Sequence, residues 1–141
     1  MYRRGVFHHA GPFDESLDAC EDYDLYLRVG RDFPFYCHHQ VIADYRQHPM
    51  ALTRDPAKML RVTHSVLRAR SSGGGGDSHG RHAYRQGLAF ASSYYGPRLV
   101  ESIREGIAAG RLAEAARDVV TLARHHPAGL AKLRPPSRPR R

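Results

Sequence analysis

The run Ser71-Ser72-Gly73-Gly74-Gly75-Gly76-Asp77-Ser78 constrains this chain more than any other stretch. Four consecutive glycines lose the most backbone entropy on ordering and bring no side chain to bury. Such a Gly/Ser run behaves as a flexible linker, and it splits the 141 residues into two parts. No Lys-Ser or Lys-Thr follows the glycines and their spacing is not that of a phosphate-binding loop, so an anion cradle is not indicated. The division expected is a first part over 1–70, a linker over 71–80, a helical extension over 81–128 and a basic tail over 129–141.

Beyond the linker the apolar spacing is helical throughout. One helix is expected over Arg81–Tyr95, with Tyr84, Leu88, Ala91 and Tyr95 spaced four, three and four. A second begins at Pro97, buries Leu99, Val100, Ile103 and Ile107, and stops at Gly110. A third runs from Arg111 to His126 with Leu112, Ala115, Ala116, Val119 and Ala123 facing inward, and ends at Pro127. The last two should form a helical hairpin with a small-residue seam.

Ahead of the linker the pattern is mixed. Arg3 to Ala10 reads as a short helix or turn ended by Gly11-Pro12, with Phe13 expected in the core. From Glu21 the apolar residues Leu25, Tyr26 and Val29 recur at helical spacing, with Asp18 as the N-cap and Glu21 completing a capping box. Asp24 and Arg28, four apart, pair on the helix surface. Two short strands follow, Phe35 to His38 and Val41 to Arg46, joined through His39-Gln40 as a hairpin. Asp55-Pro56 then opens a helix whose buried stripe is Met59, Leu60, Val62, Val66 and Leu67.

Charge argues against a nucleic-acid binder. The net charge is +8, yet residues 1–70 hold ten Lys/Arg against nine Asp/Glu. Most of the excess sits in Lys132-Leu133-Arg134-Pro135-Pro136-Ser137-Arg138-Pro139-Arg140-Arg141, a tail suited to a solvated terminus and able to touch an acidic membrane surface or a nucleic acid. No apolar run reaches the ~18 residues of a membrane span, and the first nine residues are too polar for a signal peptide. Two cysteines, Cys20 and Cys37, make no disulfide framework and no zinc-finger spacing, so reduced thiols in a cytoplasmic protein are expected. The pairs His8-His9, His38-His39 and His125-His126 are poor chelates by themselves, since adjacent side chains diverge.

The acids of the stretch Phe13–Val29 admit two readings. Glu21, Asp22 and Asp24 complement the positive end of a helix. Alternatively Asp22, at the head of an apolar stripe, is a general base for a substrate hydroxyl. Gly11-Pro12-Phe13-Asp14-Glu15, followed by Glu21-Asp22-Tyr23-Asp24-Leu25-Tyr26-Leu27-Arg28, resembles the GGFDE…EDxDLxLR signature of family-2 glycosyltransferases. Pro12 departs from the second glycine usual there. Tyr45-Arg46-Gln47-His48 is similar to the YRxH that follows in many members.

The resemblance covers Arg3 to about Arg70 and implies the second, acceptor-side half of a GT-A domain. The fold class expected is therefore α+β: a Rossmann-like fragment with a short β-hairpin, followed by a small all-α extension. The activity implied is inverting transfer from a nucleotide-diphosphate sugar to a glycan, lipid or protein acceptor, as in cell-envelope polysaccharide synthesis at the inner face of the membrane. Asp22 takes the role of catalytic base, with Glu21, Asp24 and Arg28 as acceptor-side support. His48 and Arg46 take the metal or diphosphate, and the cofactor implied is a divalent metal, Mg or Mn. The DxD motif that holds that metal is not in this sequence outside Asp22-Tyr23-Asp24, and QxxRW is missing, so the donor half is expected outside this chain. The competing class is a non-catalytic helical adaptor that binds another protein. It accounts for the helical hairpin and not for the order of acids.

Overall fold

The computed structural model describes residues 2–36, 39–44, 46, 52–71 and 78–133. The order of elements is α1 (Arg4–Ala10), α2 (Glu21–Asp32), a 3-10 turn (Leu52–Arg54), α3 (Pro56–Ser71), α4 (Ser78–Ala108), α5 (Leu112–His125) and a second 3-10 segment (Pro127–Leu133). Among the described residues there is no strand and every regular element is a helix, so the expected α+β fold with a β-hairpin is overturned. The physical reason is visible at Tyr36, Val41 and Ile42, which are 91%, 88% and 78% exposed. Alternation yields a strand only where a neighbouring strand takes its backbone groups and a core takes its apolar face. The described part of the expected hairpin has neither, and the rest of it lies outside the described residues.

Local chemistry explains the helices that do form. Gly11 caps α1 with φ 79°, and its amide donates to the Phe7 carbonyl at 3.0 Å. Asp55 caps α3 by accepting the Lys58 N–H at 2.8 Å, with Pro56 at the first helical position. Met59, Leu60, Val66 and Leu67 are buried on α3 as their spacing predicts. By contrast, the N-cap of α2 is Cys20 and not Asp18; it adopts φ 62° and contributes no side-chain cap. Phe13, expected in the core, is 47% exposed.

The segment expected as two helices around Gly96-Pro97 is a single helix of 31 residues with Pro97 inside it. Gly96 serves close approach instead of termination: a Cβ there would lie 2.5 Å from the His126 ring. The core joins both sides of the glycine run, with Ala57 and Leu60 of α3 packed among Leu99, Val100 and Ile103 of α4 and Ala115 and Leu122 of α5. A second cluster, Ala19, Cys20, Met59 and Val66, seats the start of α2 on α3. On α5 the inward face is Ala115, Thr121 and Leu122, whereas Leu112 and Val120 are 64% and 59% exposed. No helix among the described residues is long and apolar enough to cross a membrane.

Candidate functional site at the start of helix α2

Helix α2 opens with three acids, and the packing treats them differently. Glu21 and Asp22 are exposed, and the Asp22 carboxylate accepts the Tyr23 amide at 2.7 Å. Asp24, one turn along, is only 1% exposed. Its Oδ2 accepts from Arg28 Nε at 2.8 Å and its Oδ1 from Arg70 Nε at 2.5 Å. A buried carboxylate must be paired and hydrogen-bonded to be tolerated, and two guanidinium groups do both.

Arg28 extends this anchor to the preceding loop. Its two terminal nitrogens donate to the carbonyls of Ala10 and Pro12, the latter at 2.7 Å. A planar guanidinium spreads five donors over three nitrogens and so reaches one carboxylate and two carbonyls in different directions, whereas a lysine has all its donors on one nitrogen. Gly11 suits that contact, since a Cβ would come within 3.3 Å of Arg28 Nη1 at a left-handed φ. Asp24, Arg28 and Arg70 thus tie α2, the Gly11-Pro12 turn and the end of α3 into one unit. Asp24 and Arg28 pair as their spacing predicts, but in the interior and not on the helix surface. The part of Arg70 carries no sequence signal, because it lies 46 residues away.

Two tyrosines from other segments are raised chiefly by burial, and the charge of Asp22 adds a little to both. Burial, then Tyr26, then Asp22 push the Tyr2 phenol above its usual range. Burial, then Cys20 and Tyr94, push Tyr95 up, with Asp22 a smaller cause. Cys20 is likewise raised, chiefly by burial, against its bond to Thr63 at 3.5 Å.

The divalent metal implied by the resemblance is expected to take its main ligands from outside this chain. His48 lies outside the described residues, and Arg46 is an exposed guanidinium that ligates no cation. Among the described residues no group of three or more His, Cys, Asp or Glu could hold a metal ion.

A second titratable cluster joins α3, α4 and α5. His64 Nδ1 and His125 Nδ1 are 3.0 Å apart, Ser92 Oγ is 3.4 Å from His64 Nε2, and the Ser92 hydroxyl donates to the His125 carbonyl at 2.9 Å. One set of tautomers satisfies the closed loop. His125 Nδ1–H donates to His64 Nδ1, and the remaining His64 proton sits on Nε2 facing Ser92. Burial, then His125 and Arg68, lower His64 to about 4. The dipeptide His125-His126 gave no hint of this, since the partner is His64 on another helix.

Compared with known protein families, with characterised proteins and with solved structures, the chain matches none.

Proposed function

We propose that this chain is the acceptor-side part of an inverting glycosyltransferase of the family-2 kind, with Asp22 as its general base. The observation that carries the reading is the division of labour at the start of α2. Asp24 is locked between Arg28 and Arg70, while Asp22 is left exposed on a rigid helix. A general base needs a held position and an open carboxylate, and this arrangement supplies both. The order Phe13-Asp14-Glu15, Glu21-Asp22 and Arg28 supports the same reading.

In the proposed reaction an acceptor hydroxyl attacks the anomeric carbon of a nucleotide sugar as the nucleoside diphosphate departs. Asp22 accepts the hydroxyl proton as the new glycosidic bond forms, and attack opposite the leaving group inverts the carbon. Arg28 holds the Gly11-Pro12 turn beside α2, and Asp24 fixes Arg28. The donor would be bound by a part of the protein outside these 141 residues, so this chain alone is expected to show neither transfer nor donor affinity.

The test is Asp22→Asn in a polypeptide that adds a donor-binding half to this chain. Asparagine keeps the shape and loses the basic lone pair, so turnover should fall by roughly a hundredfold or more, with substrate affinities little changed. Unchanged turnover would make Asp22 a helix-terminus acid and end the transferase reading.

The adaptor reading has one observation in its favour. Leu112 and Val120 on α5, eight residues apart, leave an aliphatic stripe open to solvent.

A further inference from the structure

Beside Asp22 the chain assembles an aromatic surface that proton transfer does not use. Tyr26 follows Asp22 by four residues on α2 and is 45% exposed. The ring of Tyr2 runs nearly parallel to that of Tyr26, with centroids 6.3 Å apart and planes 24° apart. Phe7 of α1 meets Tyr2 edge-on at 5.6 Å and 67°, which steadies the Tyr2 ring. Rings held this way have little conformational freedom left to lose on binding.

The chemistry of the patch selects its ligand. An aromatic face is negative and apolar, and a phenol adds a hydrogen-bonding rim. The carboxylate of Asp22 accepts from hydroxyl groups. An apolar protein surface laid on this patch would desolvate Asp22 without giving it a donor, which is unfavourable. A pyranose does not incur that cost: it offers a face of weakly positive C–H groups to the rings and a hydroxyl at its edge to the carboxylate.

We infer that Tyr2 and Tyr26 form a platform that seats a pyranose ring of a glycan acceptor, with one ring hydroxyl against Asp22. The inference rests on the transferase reading for the role of Asp22, and narrows the acceptor from glycan, lipid or protein to glycan.

The experiment is an NMR titration of the 141-residue chain with four soluble probes: cellotetraose, maltotetraose, mannotetraose and chitotetraose. At millimolar concentrations at least one should shift the amides of Phe7, Asp22, Tyr23 and Tyr26. Tyr26→Ala and Tyr2→Ala should each weaken that binding by about tenfold, the equivalent of one lost stacking contact. Tyr26→Phe, which keeps the ring, should retain it. Circular dichroism on each variant verifies the helices, and the two alanine variants, in different segments, check one another. The platform is overturned if no probe moves these amides, or if both alanine variants bind as the parent does. Its failure is separable from that of the transferase reading. Sugar binding through Tyr26 together with undiminished turnover in Asp22→Asn would retire the proton-transfer role and leave the platform standing. A turnover loss in Asp22→Asn with binding indifferent to Tyr2 and Tyr26 would do the reverse.

Discussion

Asp22 and Asp24 stand two residues apart and face opposite environments, one water and one a pair of guanidinium groups. Asp24→Asn removes the charge and leaves Arg28 and Arg70 without their shared partner. Breaking a buried pair this way costs ~3–5 kcal/mol, and the lower end is expected here because the Arg70 side chain is 38% exposed and can turn to water. Urea denaturation should register the loss as a lower midpoint. A loss of only a few tenths of a kilocalorie would mean the pair behaves as a surface one. His64 sets a second expectation. In the folded chain its pKa is lowered to about 4 from the usual 6.5, by burial first and then by His125 and Arg68. Below pH 6.5 the unfolded chain therefore binds a proton that the folded chain resists. Stability from this residue is complete above pH 6.5 and is lost as pH falls toward 4. Denaturation midpoints should decline between pH 7 and 5, above the usual carboxylate range, and His64→Gln should flatten that slope.

Among the elements, α4 carries the one local rule that the fold overrides. Proline inside a helix removes a backbone hydrogen bond and crowds the carbonyl four residues earlier, at a cost of ~3 kcal/mol. Pro97 is nevertheless internal to Ser78–Ala108, because Leu99, Val100 and Ile103 after it and Ala91 before it are all buried in one core. Packing of an apolar face supplies most helical stability in a protein, and here it bridges the break. The Pro97 ring itself is exposed. Pro97→Ala should therefore raise stability by ~1–3 kcal/mol, seen as a higher Tm. A lower Tm would show that the ring's fixed backbone angle is needed where Gly96 admits His126.

On the scale of the whole molecule, α3 shares its core with α4 and α5 across the glycine run. Leu60 is fully buried at that junction. Leu60→Ala should cost ~2–5 kcal/mol from lost transfer energy and the cavity left behind. Circular dichroism, which reports all helices, and tyrosine fluorescence should then show coincident unfolding at the lower midpoint. Two separated transitions, only one of them shifted, would mean that the parts flanking the glycines melt independently.

Several features were legible in the sequence because their causes are local. The Asp55-Pro56 start of α3, its buried stripe, the Gly11 stop of α1 and the Asp24–Arg28 spacing all follow from interactions within one or two turns. The α+β expectation failed where the cause is not local: the alternating residues from Phe35 onward become strands only if another surface covers them, and Tyr36, Val41 and Ile42 are left to solvent. Which acid at the start of α2 is buried could not be read either. Asp24 is distinguished from Asp22 through Arg70, contributed from another segment. The His64–His125 contact, between residues 61 apart, was hidden for the same reason. Periodicity and capping are encoded in neighbours along the chain, whereas burial of a charge and the company of a carboxylate depend on what the fold brings beside it.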